Sequence, residues 1–426
     1  MNAERAREML LGSFTAALVA ADPLKTVTAH LPAPPKGRTL VVGAGKAAAA
    51  MALAVEQSWP ASAPLDGLVI TRYQHGLLTN RITVIEAGHP VPDAAGEQAA
   101  VEILKRVKAL TSQDLLLVLV SGGGSSLLSL PAEGIAMTDL KQVTRQLLLS
   151  GAPIQAMNTV RKHLSAIQGG RLAAASRAPI LALVVSDVTG DDPTHIASGP
   201  CAPDPSTYDD ATGVLERYAV RPPPAVSAHL ARGVRGEIAE TPKPGDRVFA
   251  KTENRVIASA QQSLQAAAEY FRSNGVTPAI LGDSVTGEAR EVAKVYAALA
   301  REIRQHGTPW TPPVALISGG ECTVTVRGKG RGGRCAEFLL SLAIDLNGAA
   351  DTYALAADTD GIDGSEDNAG AAIGPDVLQR AARKHLDPVM LLEQNDAYSF
   401  FEATGDLLVT GPTRTNVNDY RAILIT

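Results

Sequence analysis

Through the first half of the chain, short apolar runs alternate with longer stretches whose apolar positions recur at helical spacing. The runs predict strands at Thr39–Val42, Gly67–Thr71, Arg81–Glu86, Leu115–Val120 and Ile180–Ser186. Between them the spacing predicts helices over Lys46–Gln57, Gly96–Ala109, Met137–Ser150 and Met157–Ala175. Strand and helix in turn, with strands apolar on both faces, describe an α/β domain built on a parallel sheet covered on both sides. Ligands in such sheets sit at the carboxyl ends of the strands. Here those ends carry Gly43-Ala44-Gly45-Lys46, the loop Ser121–Ser126, and Asp187–Asp192.

Between Arg221 and Asp246 the chain turns proline-rich and weakly patterned, which marks a boundary between a domain over 1–240 and another over 241–426. Two domains are also what 426 residues lead one to expect. The second part predicts a helix over Ala258–Ser273 capped by Thr252 or Asn254, a strand at Pro278–Gly282 and a helix over Gly287–His306. After the Pro-containing connection Thr308–Pro313 come a strand from Val314, a helix over Phe338–Leu346, a strand at Tyr353–Ala357 and a last one at Ala422–Ile425. LVLVSGGGSS and ALISGGECT share a strand-then-Ser-Gly-Gly plan, which a common turn explains without a repeat.

Hydrophobic residues at 45% and charged residues at 19% are globular proportions, and aromatics at only 4% point to close packing of small side chains. A net charge of -5 argues against nucleic acid as a partner held by bulk attraction. Cys201, Cys322 and Cys335 are odd in number and lack CxxC spacing, against a disulfide framework or zinc site and in favour of a reducing, cytoplasmic setting. The first 23 residues read as an amphipathic surface helix rather than a signal peptide. The longest apolar runs, such as Leu115–Val120, are too short for a membrane span, so no membrane partner is expected.

The candidate chemistry is anionic. VALISGGECTVTVRGKGRGGRCAE, Val314 to Glu337, breaks from an apolar strand into glycines that carry Arg327, Lys329, Arg331 and Arg334. So many cations in one loop repel each other unless solvated or neutralised, so the segment reads as a phosphate or carboxylate clamp. Gly43 and Gly45 open a helix whose amides and dipole attract anions, and Lys46 adds a full charge at its mouth. That run also meets a loose dinucleotide fingerprint, yet the next strand ends Ile70-Thr71-Arg72 without the acid that holds an adenosine ribose; an arginine there could suit a phosphorylated ribose. Ser121, Gly122, Gly123, Gly124 and Ser125 form a glycine-and-hydroxyl loop whose amides can cradle phosphate, though it lacks the ending of a P-loop.

Asp187, Asp191 and Asp192 crowd one strand end, where a cation, magnesium when phosphate is present, would neutralise them; the bland alternative is an Asx turn. His195 reads as structural. Asp358, Asp360 and Asp363 follow another strand and face the arginine loop either as metal ligands or as ion pairs. Asn158, Arg161, Lys162 and His163 stand together at the start of the predicted Met157–Ala175 helix, where cations oppose the dipole and hint at an anion nearby; a solvated face would explain them equally.

Taken in order, GAGKAA (Gly43–Ala48), SGGGSSLL (Ser121–Leu128), NTVRKHLSAIQGGRLA (Asn158–Ala173), SDVTGDDPTHIASGP (Ser186–Pro200), SGGECTVTVRGKGRGGR (Ser318–Arg334) and DTDGIDG with AGA (Asp358–Ala371) resemble the glycerate 2-kinase family of the two-domain type with a C-terminal MOFRL module. One departure is Cys335-Ala336, where that family usually carries Asn-Gln, which bears on fine substrate contacts rather than on the loop. The resemblance implies transfer of the terminal phosphate of ATP, with Mg2+, to the 2-hydroxyl of D-glycerate. It also implies a Rossmann-like N-terminal domain, a smaller mixed α/β C-terminal domain with its core over 312–420, and an active site in a cleft between them; a monomer or homodimer is expected. The family's catalytic lysine would fall on Lys46 and its catalytic arginine on Arg331 or Arg334; in a mechanism of this kind Asp358 or Asp360 could orient the attacking hydroxyl. The rivals are an NAD(P)H-dependent hydroxypyruvate reductase, for which no His-plus-carboxylate pair stands out, and a non-catalytic sensor of phosphorylated ligands.

Overall fold

A computed structural model describes residues 1–426, and the chain folds as two units: Pro23–Ile257, and Met1–Asp22 joined to Ala258–Thr426. The boundary therefore lies some way past the proline-rich stretch, inside which Pro224–Val234 is a helix with proline in its first turn. The opening helix α1 (Ala3–Ala20), capped by the Asn2 side chain, joins the second unit although the sequence places it with the first. Its stripe of Met9, Leu10 and Phe14 packs with Leu264 and Phe271 of a distant helix, and Phe14 meets Tyr420 at 5.7 Å between ring centroids. Burial of such a face outweighs nearness in sequence.

In the first unit the strands are β1 (Thr39–Ala44), β2 (Leu65–Arg72), β3 (Ile82–Ala87), β4 (Leu115–Val120), β5 (Ile180–Val185) and β6 (Thr252–Ala258), in the order β3-β2-β1-β4-β5-β6. Pairing from β3 through to β5 is parallel. This is the doubly wound order whose reversal between β1 and β4 opens a ligand crevice at the strand ends. β6 escaped the sequence reading because an edge strand is only partly buried, and its polar Thr252, Glu253 and Asn254 resemble a helix start. Ser259, not Thr252 or Asn254, caps the helix that follows.

The helix expected over Met157–Ala175 is instead Ile154–His163, then a separate turn at Arg171–Ala174. Gly169 and Gly170, at φ +59° and +77°, interrupt it in a conformation that a helix interior does not allow.

The second unit holds β7 (Thr277–Gly282), β8 (Val314–Ser318), β9 (Thr352–Asp358), β10 (Gly370–Ile373), β11 (Leu407–Leu408) and β12 (Asp419–Ile425), ordered β11-β10-β9-β12-β8-β7. Only β7 and β8 run parallel; β12 lies antiparallel between β8 and β9, so the sheet is mixed. α1 and Ala260–Ser273 cover one face, while Ala289–His306 and α2 (Arg334–Leu346) cover the other. No helix of the chain is long and apolar enough to cross a membrane.

Candidate active site

At the β1/β4 crevice two loops are tied to one another through main chain. The Lys46 amide donates to the Gly122 carbonyl at 2.8 Å, and the Ala47 amide donates to Ser121 Oγ at 3.0 Å. Gly45 sits at φ +143°, and a Cβ there would stand 2.0 Å from Ser121 Oγ, so the loops meet only because Gly45 has none. Gly43 lies in β1 itself, buried against Leu119 of β4. A Cβ on Gly123 would lie 2.9 Å from His89 Nε2 and 3.4 Å from Lys46 Cγ, which puts the imidazole, the lysine stem and the glycine loop in one neighbourhood. His89 escaped the sequence reading; its only signal is a histidine just past the end of β3. Within the loop the Gly124 amide is engaged by the Ser121 carbonyl at 3.1 Å, so Gly122, Gly123 and Ser125 are the amides to consider for a ligand.

A polar chain leads away from this loop. Ser125 Oγ meets Ser198 Oγ at 2.9 Å, Ser198 Oγ donates to Asn158 Oδ1 at 3.2 Å, and Arg161 donates to that same oxygen at 2.8 Å. Because the helix runs Ile154–His163, these basic residues occupy its last turn, where cations suit the dipole; the expected opposition does not arise. Lys162 is buried and pairs with buried Asp204 at 3.4 Å, which turns it away from any ligand reached through Arg161. Arg161, half-buried, faces no carboxylate, and burial pulls its guanidinium down to about 10.

The aspartates after β5 do not form a three-ligand group. Burial pushes the Asp192 carboxyl up, but the Thr194 amide at 2.9 Å outweighs it and holds the group below the usual carboxylate range. His195 lies 4.0 Å from Asp192. Asp191 takes a left-handed φ of +54°. No three His, Cys, Asp or Glu side chains anywhere in the chain form a group able to hold a metal ion.

In the second unit the arginine loop meets its own carboxylates. Antiparallel register sets Asp419, at the start of β12, beside Asp358, at the end of β9. Arg334, first residue of α2, donates to Asp419 at 2.7 Å and Asp358 at 2.7 Å, with Glu321 at 3.3 Å. Burial works against its charge, but Asp419 and Asp358 outweigh that and hold the guanidinium protonated. Arg421 closes on the other oxygen of Asp419 and on the Gly319 carbonyl. Arg331 lies exposed over the Tyr398 ring at 4.5 Å, bonded to Glu402 at 3.0 Å. Of the two sequence readings of the Asp358 loop, the ion pair is the one seen. Arg327 and Lys329 remain at the exposed rim.

Asp360 is buried, its amide donating to Asp358 and its own carboxylate accepting from the Ile362 amide at 2.9 Å. Asp363 accepts from the Cys335 and Ala336 amides at 3.0 and 2.8 Å, capping α2 with both oxygens. Burial pushes its carboxyl up to about 6. The anchor uses main chain, so the loop tolerates Cys335-Ala336 in place of other side chains. All three cysteines are buried and free.

Residues 9–231 match the family model described as a domain of unknown function, DUF4147, and residues 314–419 match the MOFRL family. The chain is 49% identical, over 99% of its length and 94% of the relative's, to an Agrobacterium vitis protein that carries the provisional name hydroxypyruvate reductase. It is 39% identical to glycerate 2-kinase of Pyrococcus horikoshii, over 92% of this chain and 88% of that one. The crystal structure of glycerate kinase from Thermotoga maritima superimposes with a TM-score of 0.88 at 36% identity, covering 99% of this chain and 100% of that chain. With one model matching more than half of its length and such relatives aligned almost end to end, the chain is an enzyme of the glycerate 2-kinase family, of the two-domain type that ends in a MOFRL module.

Proposed function

We propose that the protein is a glycerate kinase that transfers the γ-phosphate of ATP to the 2-hydroxyl of D-glycerate, giving 2-phosphoglycerate and ADP. The observation that carries this reading is Lys46 held by its own main chain against the Ser121–Ser125 loop at the β1/β4 reversal. Phosphoryl transfer asks a protein mainly to position reactants and to neutralise spreading charge. The 2-hydroxyl oxygen bonds to the γ-phosphorus, the bond from phosphorus to the β–γ bridging oxygen breaks with ADP leaving, and the hydroxyl proton passes to water.

Lys46 faces the transferring phosphoryl group, and the Gly122, Gly123 and Ser125 amides hold its oxygens. Asn158 fixes Arg161 toward the remaining phosphates. In the second unit, Arg331 or Arg334 is the cation offered to an anionic group, and Asp360 the carboxylate offered to a hydroxyl. Magnesium keeps several waters and takes one or two carboxylates plus phosphates, so a chain without a three-ligand cluster fits an ion that arrives on the nucleotide. Asp187 and Asp191 would hold that ion, which would offset negative charge on the phosphates, while Asp192 is engaged by Thr194. We place the enzyme in the cytoplasm, in keeping with three free buried cysteines.

The reductase reading draws on the name of the A. vitis relative, but β2 ends in Arg72 and brings no acid to a nicotinamide nucleotide's ribose. Two assays separate them: ADP release from D-glycerate with ATP and magnesium, and NADH or NADPH consumption with hydroxypyruvate. Turnover in the first alone supports the kinase. Turnover in the second alone replaces it with a reductase, and binding without either leaves a sensor.

A further inference from the structure

A cavity of about 670 Å3 opens in the first unit beside the glycine loop. Pro90, Val91 and Pro92, which follow His89, form one wall. Leu140, Thr144 and Leu148, on the Met137–Leu149 helix, form the other, and Ser125 and Arg161 stand at its inner end. We propose that this cavity takes the nucleoside end of the phosphate donor. The inference rests on the kinase reading and adds to it the part of the fold that recognises the nucleotide.

Three observations carry it. Pro90, Val91, Pro92, Leu140 and Leu148 give the cavity apolar surface that matches the faces of a base and ribose carbons, while Thr138, Lys141, Gln142 and Arg145 add polar groups to its lining. D-glycerate, a small acid polar at every carbon, would leave those walls wet. Next, Arg161, at the inner end of the cavity, has Asn158 and no carboxylate as its partner, whereas Arg290 meets Glu337 at 2.8 Å and Arg334 meets Asp419 at 2.7 Å. A cation so placed calls for an anion from outside the chain, and the phosphates next to a nucleoside are one. Finally, the hydrogen-bonded chain from Arg161 through Asn158 and Ser198 to Ser125 joins the cavity to the loop beside Lys46. A nucleotide with its base between Pro92 and Leu140 would run its phosphates past Arg161 toward Lys46.

The test is calorimetric titration of ADP, and separately of pyrophosphate, into the full-length protein and the variants Thr144→Trp, Leu148→Glu and Arg161→Gln, each checked for a wild-type unfolding transition. Thr144→Trp fills the cavity and should weaken ADP about tenfold or more while leaving pyrophosphate unchanged, the filled volume being where only the nucleoside lies. Arg161→Gln should weaken both. Leu148 is 62% exposed, so its glutamate variant folds even if the tryptophan does not, and it should weaken ADP alone. ADP bound equally by wild type, Thr144→Trp and Leu148→Glu overturns the proposal while leaving the kinase standing. A wild-type protein that binds neither ADP nor ATP overturns both.

Discussion

Replacing Lys46 by methionine removes one positive charge and keeps the length of the aliphatic stem. The fold around residue 46 is held by main chain, through the Lys46 amide on Gly122 and the Ala47 amide on Ser121, and the side-chain stem runs past Gly123. Methionine keeps that stem and leaves the two main-chain anchors in place, and the unfolding midpoint is measured alongside to separate lost turnover from lost stability. A unit charge about 4 Å from a partner in a partly buried site is worth roughly 4 kcal/mol. Loss of one electrostatic stabiliser at a reacting centre typically costs about 2.7–4 kcal/mol, or about 10²–10³ in kcat. The assay is ADP release coupled to an optical readout, run at varied ATP and varied D-glycerate. If the lysine acts on the transition state, kcat and kcat/KM fall together; if it only holds ground-state phosphate, KM for ATP rises with kcat unchanged. A variant that retains kcat within about threefold of wild type refutes the role.

Other perturbations follow from the same contacts. Arg334→Met takes one cation from buried Asp358 and Asp419, leaving Arg421 on Asp419, and should cost about 3–5 kcal/mol in urea unfolding, so its loss of turnover must be read beside its stability. Asp204→Ala strands the Lys162 ammonium in the core, with a similar drop of about 3–5 kcal/mol expected; an unchanged urea midpoint would contradict the buried pair. Gly124→Ala would set a methyl 2.6 Å from Ala197 Cβ and 2.9 Å from the Ala44 carbonyl, and overpacking of this kind should destabilise by about 1–3 kcal/mol in thermal unfolding.

Asp363 supplies a pH dependence. Its folded value is raised to about 6, so the native state holds the extra proton and this group's contribution to stability is lost as pH rises from the unfolded carboxylate value through 6. Relative to Asp363→Asn, wild type should therefore gain stability between pH 7 and pH 5. A difference that shrinks or reverses on acidification would show that the cap is charged throughout.

The first sheet was legible because its central strands are apolar on both faces, and Leu115–Val120 agrees to the residue. Its strand-end loops were legible too, since glycine beside lysine at such an end has few other uses. What the sequence hid was long-range. Nothing near Met9 or Phe14 says that α1 completes the second unit, because the surface it covers is assembled some 250 residues later. The carboxylates that neutralise Arg334 come from residues 321, 358 and 419, and only the antiparallel register of β12 on β9 sets two of them side by side. An aspartate alone at the head of the last strand carries no local signal. Arg161 and Lys162 look alike as text, yet one helical step turns the second to Asp204 and the first to Asn158 and the cavity.

The most direct test of the kinase reading is phosphorus NMR of the product formed from D-glycerate, ATP and magnesium by the wild-type protein. The account predicts a phosphomonoester resonance split by the single proton on carbon 2, appearing as ATP gives way to ADP. A doublet of doublets or triplet from a phosphate on the carbon-3 methylene would contradict the assigned hydroxyl. No phosphomonoester at all, with NADH consumed in the presence of hydroxypyruvate, would contradict the kinase itself.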